Sequence, residues 1–260
     1  MKTNLRITRS LAALLGAASL ALLLAAPATA GNWRFSVTPY AWATNVGVKA
    51  NVKGSTVVDE TISVSDLMED LDTIFMGRFE ASYKSYGVMI DAFDVTLSDE
   101  ATGLLLPQGA GTADLGTEMG MTIVDVAATY RMSEKPIFTA YGGARIVNER
   151  ATIDATFYTP GAPVSQTWEP NDTYVDGLVG MRFTTPLSRH FSTTAQADVS
   201  TGGTDYTWSI APVLTYSFGD MNRFGVNAGW KRMQIDFADS DGVDSQLTLS
   251  GAVLGFRVSF

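Results

Sequence analysis

The chain has 260 residues, 27 of them acidic and 18 basic, and no cysteine. An acidic balance argues against a nucleic-acid partner, because affinity there comes from Lys and Arg on phosphates. The missing thiol excludes disulfides, cysteine metal sites and cysteine nucleophiles.

The N-terminus reads as a secretory signal peptide. Lys2, Arg6 and Arg9 precede an apolar core from Leu11 to Ala26, and Ala28-Thr29-Ala30 is an A-x-A site. Cleavage is expected between Ala30 and Gly31, so residues 1–30 are a leader and residues 31–260 one domain. An uncleaved anchor is the weaker alternative, since the core is short for a span of about 20 residues. Removing the three leader cations leaves 15 basic against 27 acidic residues, a formal charge of −12. No later apolar run is long enough for a membrane helix, yet 46% of the chain is hydrophobic. Apolar residues spread by alternation are what a closed membrane barrel requires.

A first strand is predicted from Trp33 to Val48, with Arg34 on its inward parity. The connection to Thr73 is acidic, and SDLMEDL within it reads as a short helix capped by Ser65. Leu67, Met68 and Leu71 share a face there, expected to pack onto the barrel rim. Calcium or magnesium could bind such a loop, but the spacing does not match the twelve-residue calcium loop, and a solvated loop is preferred. The second strand, Ile74 to Lys84, sets Arg78 and Glu80 opposite Phe75 and Phe79. The third sets Asp91 opposite Val88 and Ile90; a parity change at Phe93 predicts a bulge or an end clear of lipid.

Later strands repeat the pattern. Asp125 opposes Val124 and Val126, and Arg145 and Glu149 oppose Ala144 and Ile146. Asp176 and Arg182 oppose Val175 and Val179, and Asp198 opposes Ala197 and Val199. Lys231 opposes Trp230, and Arg257 opposes Phe256. Short turns fall at Ser85, Ser133–Pro136, Leu187–His190 and Gly219–Asn222, and the other connections are generally longer. Ten hairpin-linked strands predict an all-β, transmembrane, antiparallel up-and-down barrel, with eight or twelve strands as alternatives. Twelve would follow if STVVDETISVS formed a hairpin within the wall. Tyr83, Tyr130, Phe138, Phe183, Phe191, Tyr216, Phe218 and Phe224 all flank short turns on the outward parity, which is an interfacial girdle.

Twelve charged residues take the inward parity. Arg34, Arg78, Arg145, Arg182, Lys231 and Arg257 balance Glu80, Asp91, Asp125, Glu149, Asp176 and Asp198. Burial requires such charges to be paired or hydrated. A salt-bridged plug is preferred over a hydrated pore, because wide channels need about 16 strands. An open small-solute porin and a barrel enzyme acting on lipid or peptide are the alternatives. The single histidine, His190, falls in a short turn, so no catalytic, cofactor or metal residue is assigned and no enzyme activity is expected.

The ending GAVLGFRVSF, Gly251 to Phe260, resembles the C-terminal strand of Gram-negative outer-membrane barrels, in which a terminal Phe is part of the assembly signal. The chain also resembles a little-characterised family of such barrels. The resemblance rests on TPYAW (Thr38 to Trp42), ISVSDLMEDLD (Ile62 to Asp72), Phe79-Glu80-Ala81, YGVMIDAF (Tyr86 to Phe93), AATYR, GGAR, VGMRF and GFRVSF. Ala41 and Tyr86 depart from the family's usual Leu and Trp. It implies residence in the bacterial outer membrane. The implied partners are membrane lipid, lipopolysaccharide and the barrel-assembly machinery. It implies no substrate.

Overall fold

The computed structural model describes residues 32–52, 55–105, 111–134, 136–158, 163–240 and 243–260. The expected leader, its Ala30/Gly31 cleavage site and the Asp241-Gly242 turn lie outside these residues. Twelve strands form one antiparallel sheet: β1 (Trp33–Val52), β2 (Ser55–Ile62), β3 (Leu71–Tyr83), β4 (Tyr86–Leu105), β5 (Thr112–Glu134), β6 (Ile137–Tyr158), β7 (Val164–Trp168), β8 (Asn171–Pro186), β9 (Phe191–Gly202), β10 (Tyr206–Phe218), β11 (Phe224–Ser240) and β12 (Val243–Ser259). The sheet closes because β12 pairs β1 from Ser36↔Ser259 to Val52↔Val243. Beyond the last strand residue, Phe260 exchanges both backbone bonds with Phe35, at 2.9 and 3.0 Å.

The wall has ten lanes, not twelve. The lower part of β1 pairs β3 up to Pro39↔Gly77, and its upper part pairs β2 from Val46↔Ile62. Strand β2 therefore continues the lane of β3. Strand β7 likewise continues the lane of β8, because β6 pairs β8 up to Arg150 and β7 from Ile153. The segment STVVDETISVS thus extends one hairpin rather than adding two lanes.

Alternation decides which way each side chain faces. Outward residues are apolar and open, as with Val175 at 57%, Val179 at 59% and Leu254 at 61% relative exposure. The sequence aromatics gather at the turn end and touch one another. Phe191 meets Tyr216, Tyr216 meets Phe218, and Phe218 and Phe224 both meet Phe256. Across the closure Phe260 stacks on Phe35, which stacks on Trp33. An exposed apolar belt on a closed sheet leaves no unpaired edge in lipid, the requirement for a β-barrel that spans a membrane.

The walls are uneven. Strands β5 and β6 have 23 and 22 residues, whereas β9 and β10 have 12 and 13. A membrane crossing takes about 9–11 residues, so β5 and β6 project well past the bilayer on the loop side. The short helix α1 (Val64–Glu69) sits on this side. Its cap is Ser63, not the expected Ser65, and the Val64 N–H donates to the Asn45 side-chain oxygen at 2.9 Å. Ser63 also donates to Asp66, so this earlier hydroxyl is the one placed to close the first turn. Leu67 is half-buried, but Met68 is 67% exposed and does not share the packed face.

No bulge occurs at Phe93. The pairing of β4 with β5 runs unbroken from Tyr86↔Tyr130 to Ala101↔Leu115. Phe93 keeps the inward parity of Asp91, because the upper lumen is itself apolar. Asp94 turns outward, beyond the lipid-facing Ala92, and pairs with Arg150.

Candidate functional site in the barrel lumen

The lumen is built in two storeys. In the upper storey Trp42, Met76, Phe93, Ile123, Val147, Met233, Ile235 and Leu249 form one buried cluster. They come from β1, β3, β4, β5, β6, β11 and β12, and Tyr174 of β8 packs against them. Trp42 and Phe93 meet edge to face at 5.6 Å. Contacts of this kind are dispersive and exclude water.

Strands β9 and β10 are too short to supply such residues, and here the turn Gly202–Asp205 closes the gap. Thr204 and Thr207 are buried, at 1% and 0% exposure. Asp176, also buried, accepts from the Thr204 N–H, the Thr204 hydroxyl and the Ser200 hydroxyl at 2.9, 2.6 and 2.9 Å. It is inward as expected, but it holds a turn rather than a cation.

Beneath the apolar cluster lies a plane of charge. Arg145 grips Asp125 with two bonds of 2.7 Å and reaches Asp198 at 2.9 Å. Its side chain is 1% exposed, so both carboxylates are compensated in a dry setting. Asp198 also accepts from Tyr141 at 2.9 Å and Ser209 at 2.8 Å. Tyr141 lies across β8 at Gly180, where an added Cβ would stand 2.3 Å from the phenol ring. A larger residue there would push the phenol away from Asp198.

A second group sits beside it. Arg78 binds Asp91 at 2.6 Å and the Gln196 side-chain oxygen at 2.9 Å, while Tyr40 donates to the other oxygen of Asp91 at 2.9 Å. Arg182 pairs with Glu80. Lys231 lies 4.6 Å over the Trp42 ring, joining the two storeys. Arg257 donates to Ser217 at 3.1 Å.

The twelve sequence-selected charges therefore divide. Arg78, Glu80, Asp91, Asp125, Arg145, Arg182 and Asp198 form ion pairs. Lys231 and Arg257 line the same space without a carboxylate within 4 Å among the described residues. Arg34 stands exposed at the turn-end mouth. Glu149 is on the loop side near Asp172, outside the charge plane. Tyr40, Tyr141, Gln196 and Ser209 belong to the network but were not selected. Their inward parity was readable; their partners, 11 to 118 residues away, were not.

Two cavities of about 420 and 340 Å³ occupy the lower lumen. His190 lies in the turn below, its Nδ1 donating to the Ser217 carbonyl at 3.0 Å.

No family model matches the chain, and no curated protein matches it. Several solved structures are similar. The translocator domain of the autotransporter NalP from Neisseria meningitidis is 13% identical, with 97% of each chain covered and a TM-score of 0.41. The outer membrane protease OmpT from Escherichia coli is 8% identical over 89% of this chain and 98% of that one, with a TM-score of 0.46. The attachment invasion protein Ail of Yersinia pestis is 11% identical over 88% and 99%, with a TM-score of 0.35. The architecture itself rests on the closed ten-lane sheet, the lipid-facing belt and the aromatic girdle. This is a transmembrane barrel of the outer-membrane type.

Proposed function

We propose that the protein is a non-enzymatic component of the bacterial outer membrane whose lumen is plugged. The turn end then faces the periplasm and the uneven loop end faces outward. The observation that carries this reading is the apolar cluster around Trp42, Phe93 and Ile235, stacked directly on the Arg145 charge plane. An ion crossing the barrel must shed its water at the first and displace a bound partner at the second. Planar-bilayer recording of the refolded barrel is the test, and a silent membrane is expected. Reproducible open steps would overturn the plug and favour a small-solute porin.

The absence of catalysis is supported by the chemistry of the lumen. Its buried carboxylates are engaged by Arg, Tyr and hydroxyl donors, and the single imidazole is bonded to a backbone carbonyl. Refolded protein is expected to leave lipopolysaccharide and unstructured peptides intact. Turnover lost on substituting a lumen carboxylate would establish an enzyme. The resemblance to a little-characterised barrel family is kept in the same spirit. Its TPYAW segment lies on β1, and ISVSDLMEDLD spans the end of β2, α1 and the start of β3. Membrane lipid, lipopolysaccharide and the assembly machinery are the proposed partners, the last through Phe260.

A further inference from the structure

The periplasm-facing half of the lumen is a cationic chamber. The two cavities share Glu80, Arg182 and Arg257 in their walls, so they adjoin. Of their acidic lining, Asp91 is held by Arg78 and Glu80 by Arg182. That leaves Lys231 and Arg257 as positive charges without a carboxylate within 4 Å among the described residues, and Arg34 at the mouth. The Nε of Arg257 is buried and has no hydrogen-bond partner. Hydroxyl and amide groups of Ser36, Thr38, Thr194 and Asn227 fill in the wall. The chain as a whole is acidic, so this local surplus is a strong reversal of sign. A cleft of one sign within low-dielectric walls concentrates counter-ions, and Arg and Lys hold carboxylate and phosphate by charge-assisted bonds.

We propose that this chamber is a binding site, entered from the periplasmic side, for a small multivalent anion carrying phosphate or carboxylate groups. Arg257 and Lys231 supply charge that is not tied up in an ion pair among the described residues, and Arg182 lines the same space beside Glu80. The apolar storey above makes the chamber a dead end, so the anion is held rather than passed. The site does not depend on the plug, since a conducting barrel would keep the same cationic walls.

Calorimetric titration of the refolded protein in neutral detergent tests it, with inorganic pyrophosphate and citrate as separate probes. Salt is kept at about 20 mM so that screening is weak. Saturable one-site binding is expected. Arg257→Gln should weaken it by about tenfold or more, while Arg257→Lys retains most of it, because a point charge still attracts the anion. Should Arg257→Gln fail to refold, Lys231→Gln carries the same comparison. Arg232→Gln, on the outer face against Trp208, is the control and should bind as the parent does. Pyrophosphate alone binding assigns phosphate, and both binding assigns multivalent anions generally. No heat with either probe overturns the proposal, as does unchanged affinity in Arg257→Gln and Lys231→Gln, or equal weakening in Arg232→Gln.

Discussion

The two storeys of the lumen solve the same problem in opposite ways. Above, the space is filled by side chains with almost no polar atoms: Met233, Ile235, Val147 and Leu249 are all at 2% exposure or less. Below, it is spanned by bonded charges beside a smaller apolar cluster of Met89, Ala127, Tyr141 and Leu178, with cavities between them. The upper storey closes by packing and the lower by pairing. Packing is local, tolerant of similar shapes and costly to hollow out. Pairing is specific, and its failure leaves a charge stranded. A barrel with only charges would stay wet, and one with only apolar residues would have no cation to offer at its turn end.

The largest effect is expected at the centre of the lower storey. Arg145→Ala strands Asp125 and Asp198 in a site where the guanidinium was 1% exposed. Breaking a buried pair from one side costs about 3–5 kcal/mol. Urea unfolding of the refolded barrel in detergent or lipid measures it. A loss under about 1 kcal/mol would mean that water compensates these carboxylates and that the charge plane is not dry.

Trp42→Ala is the counterpart above. It empties the centre of the apolar cluster, removes the partner of Phe93 and uncovers Lys231. A cost of about 3–5 kcal/mol is usual for such a truncation. Conductance sharpens the comparison. On the proposed plug, Arg78→Ala, which breaks one lower pair, should stay silent because the upper storey is left intact. The double change Trp42→Ala with Phe93→Ala should give brief openings. Steps from Arg78→Ala alone would put the barrier in the charges instead.

Gly180→Ala comes next. The new methyl would stand 2.3 Å from Tyr141 Cζ, so the phenol must swing away from Asp198. Overpacking of this kind costs about 1–3 kcal/mol. Gly180→Ala combined with Tyr141→Ala should recover part of the loss relative to the sum of the two single changes. Strict additivity would show that Tyr141 is not the group displaced.

The outward face was legible because lipid imposes one rule along the whole strand. Val88, Val126, Val179 and Leu254 all obey it, and the girdle follows from where the short turns fall. The lumen follows two rules, and one sequence parity cannot show where the first gives way to the second. On β4 the inward series is Met89, Asp91, Phe93, Val95; the last two look like lipid-facing residues, which is why parity alone points to a bulge or an end clear of lipid there. Charges were identified by parity, but their pairing was not. Asp176 and Asp198 share the inward face on neighbouring strands, yet one holds a turn and the other an arginine. Which partner each meets depends on barrel stagger, and stagger is set by all ten lanes together.

The smallest effect separates inside from outside. Arg150 and Asp94 also form an ion pair, but on the outer surface, with side chains 35% and 29% exposed. The arginine lies over Gly120, where an added Cβ would meet its Nε at 2.5 Å, and it donates to Thr122 at 2.8 Å and Thr96 at 3.1 Å. Its single contact with Asp94 is 3.3 Å long, whereas Arg145 grips Asp125 with two bonds of 2.7 Å. Its setting weakens it further, because solvent and headgroups can replace each bond when it is lost. Arg150→Ala should therefore cost no more than about 1 kcal/mol, and less still as salt is raised. Unfolding of this variant beside Arg145→Ala, at low and high salt, decides the matter. An Arg150→Ala loss matching that of Arg145→Ala would show that the projecting walls of β5 and β6, and not the lumen, carry the stability of the barrel.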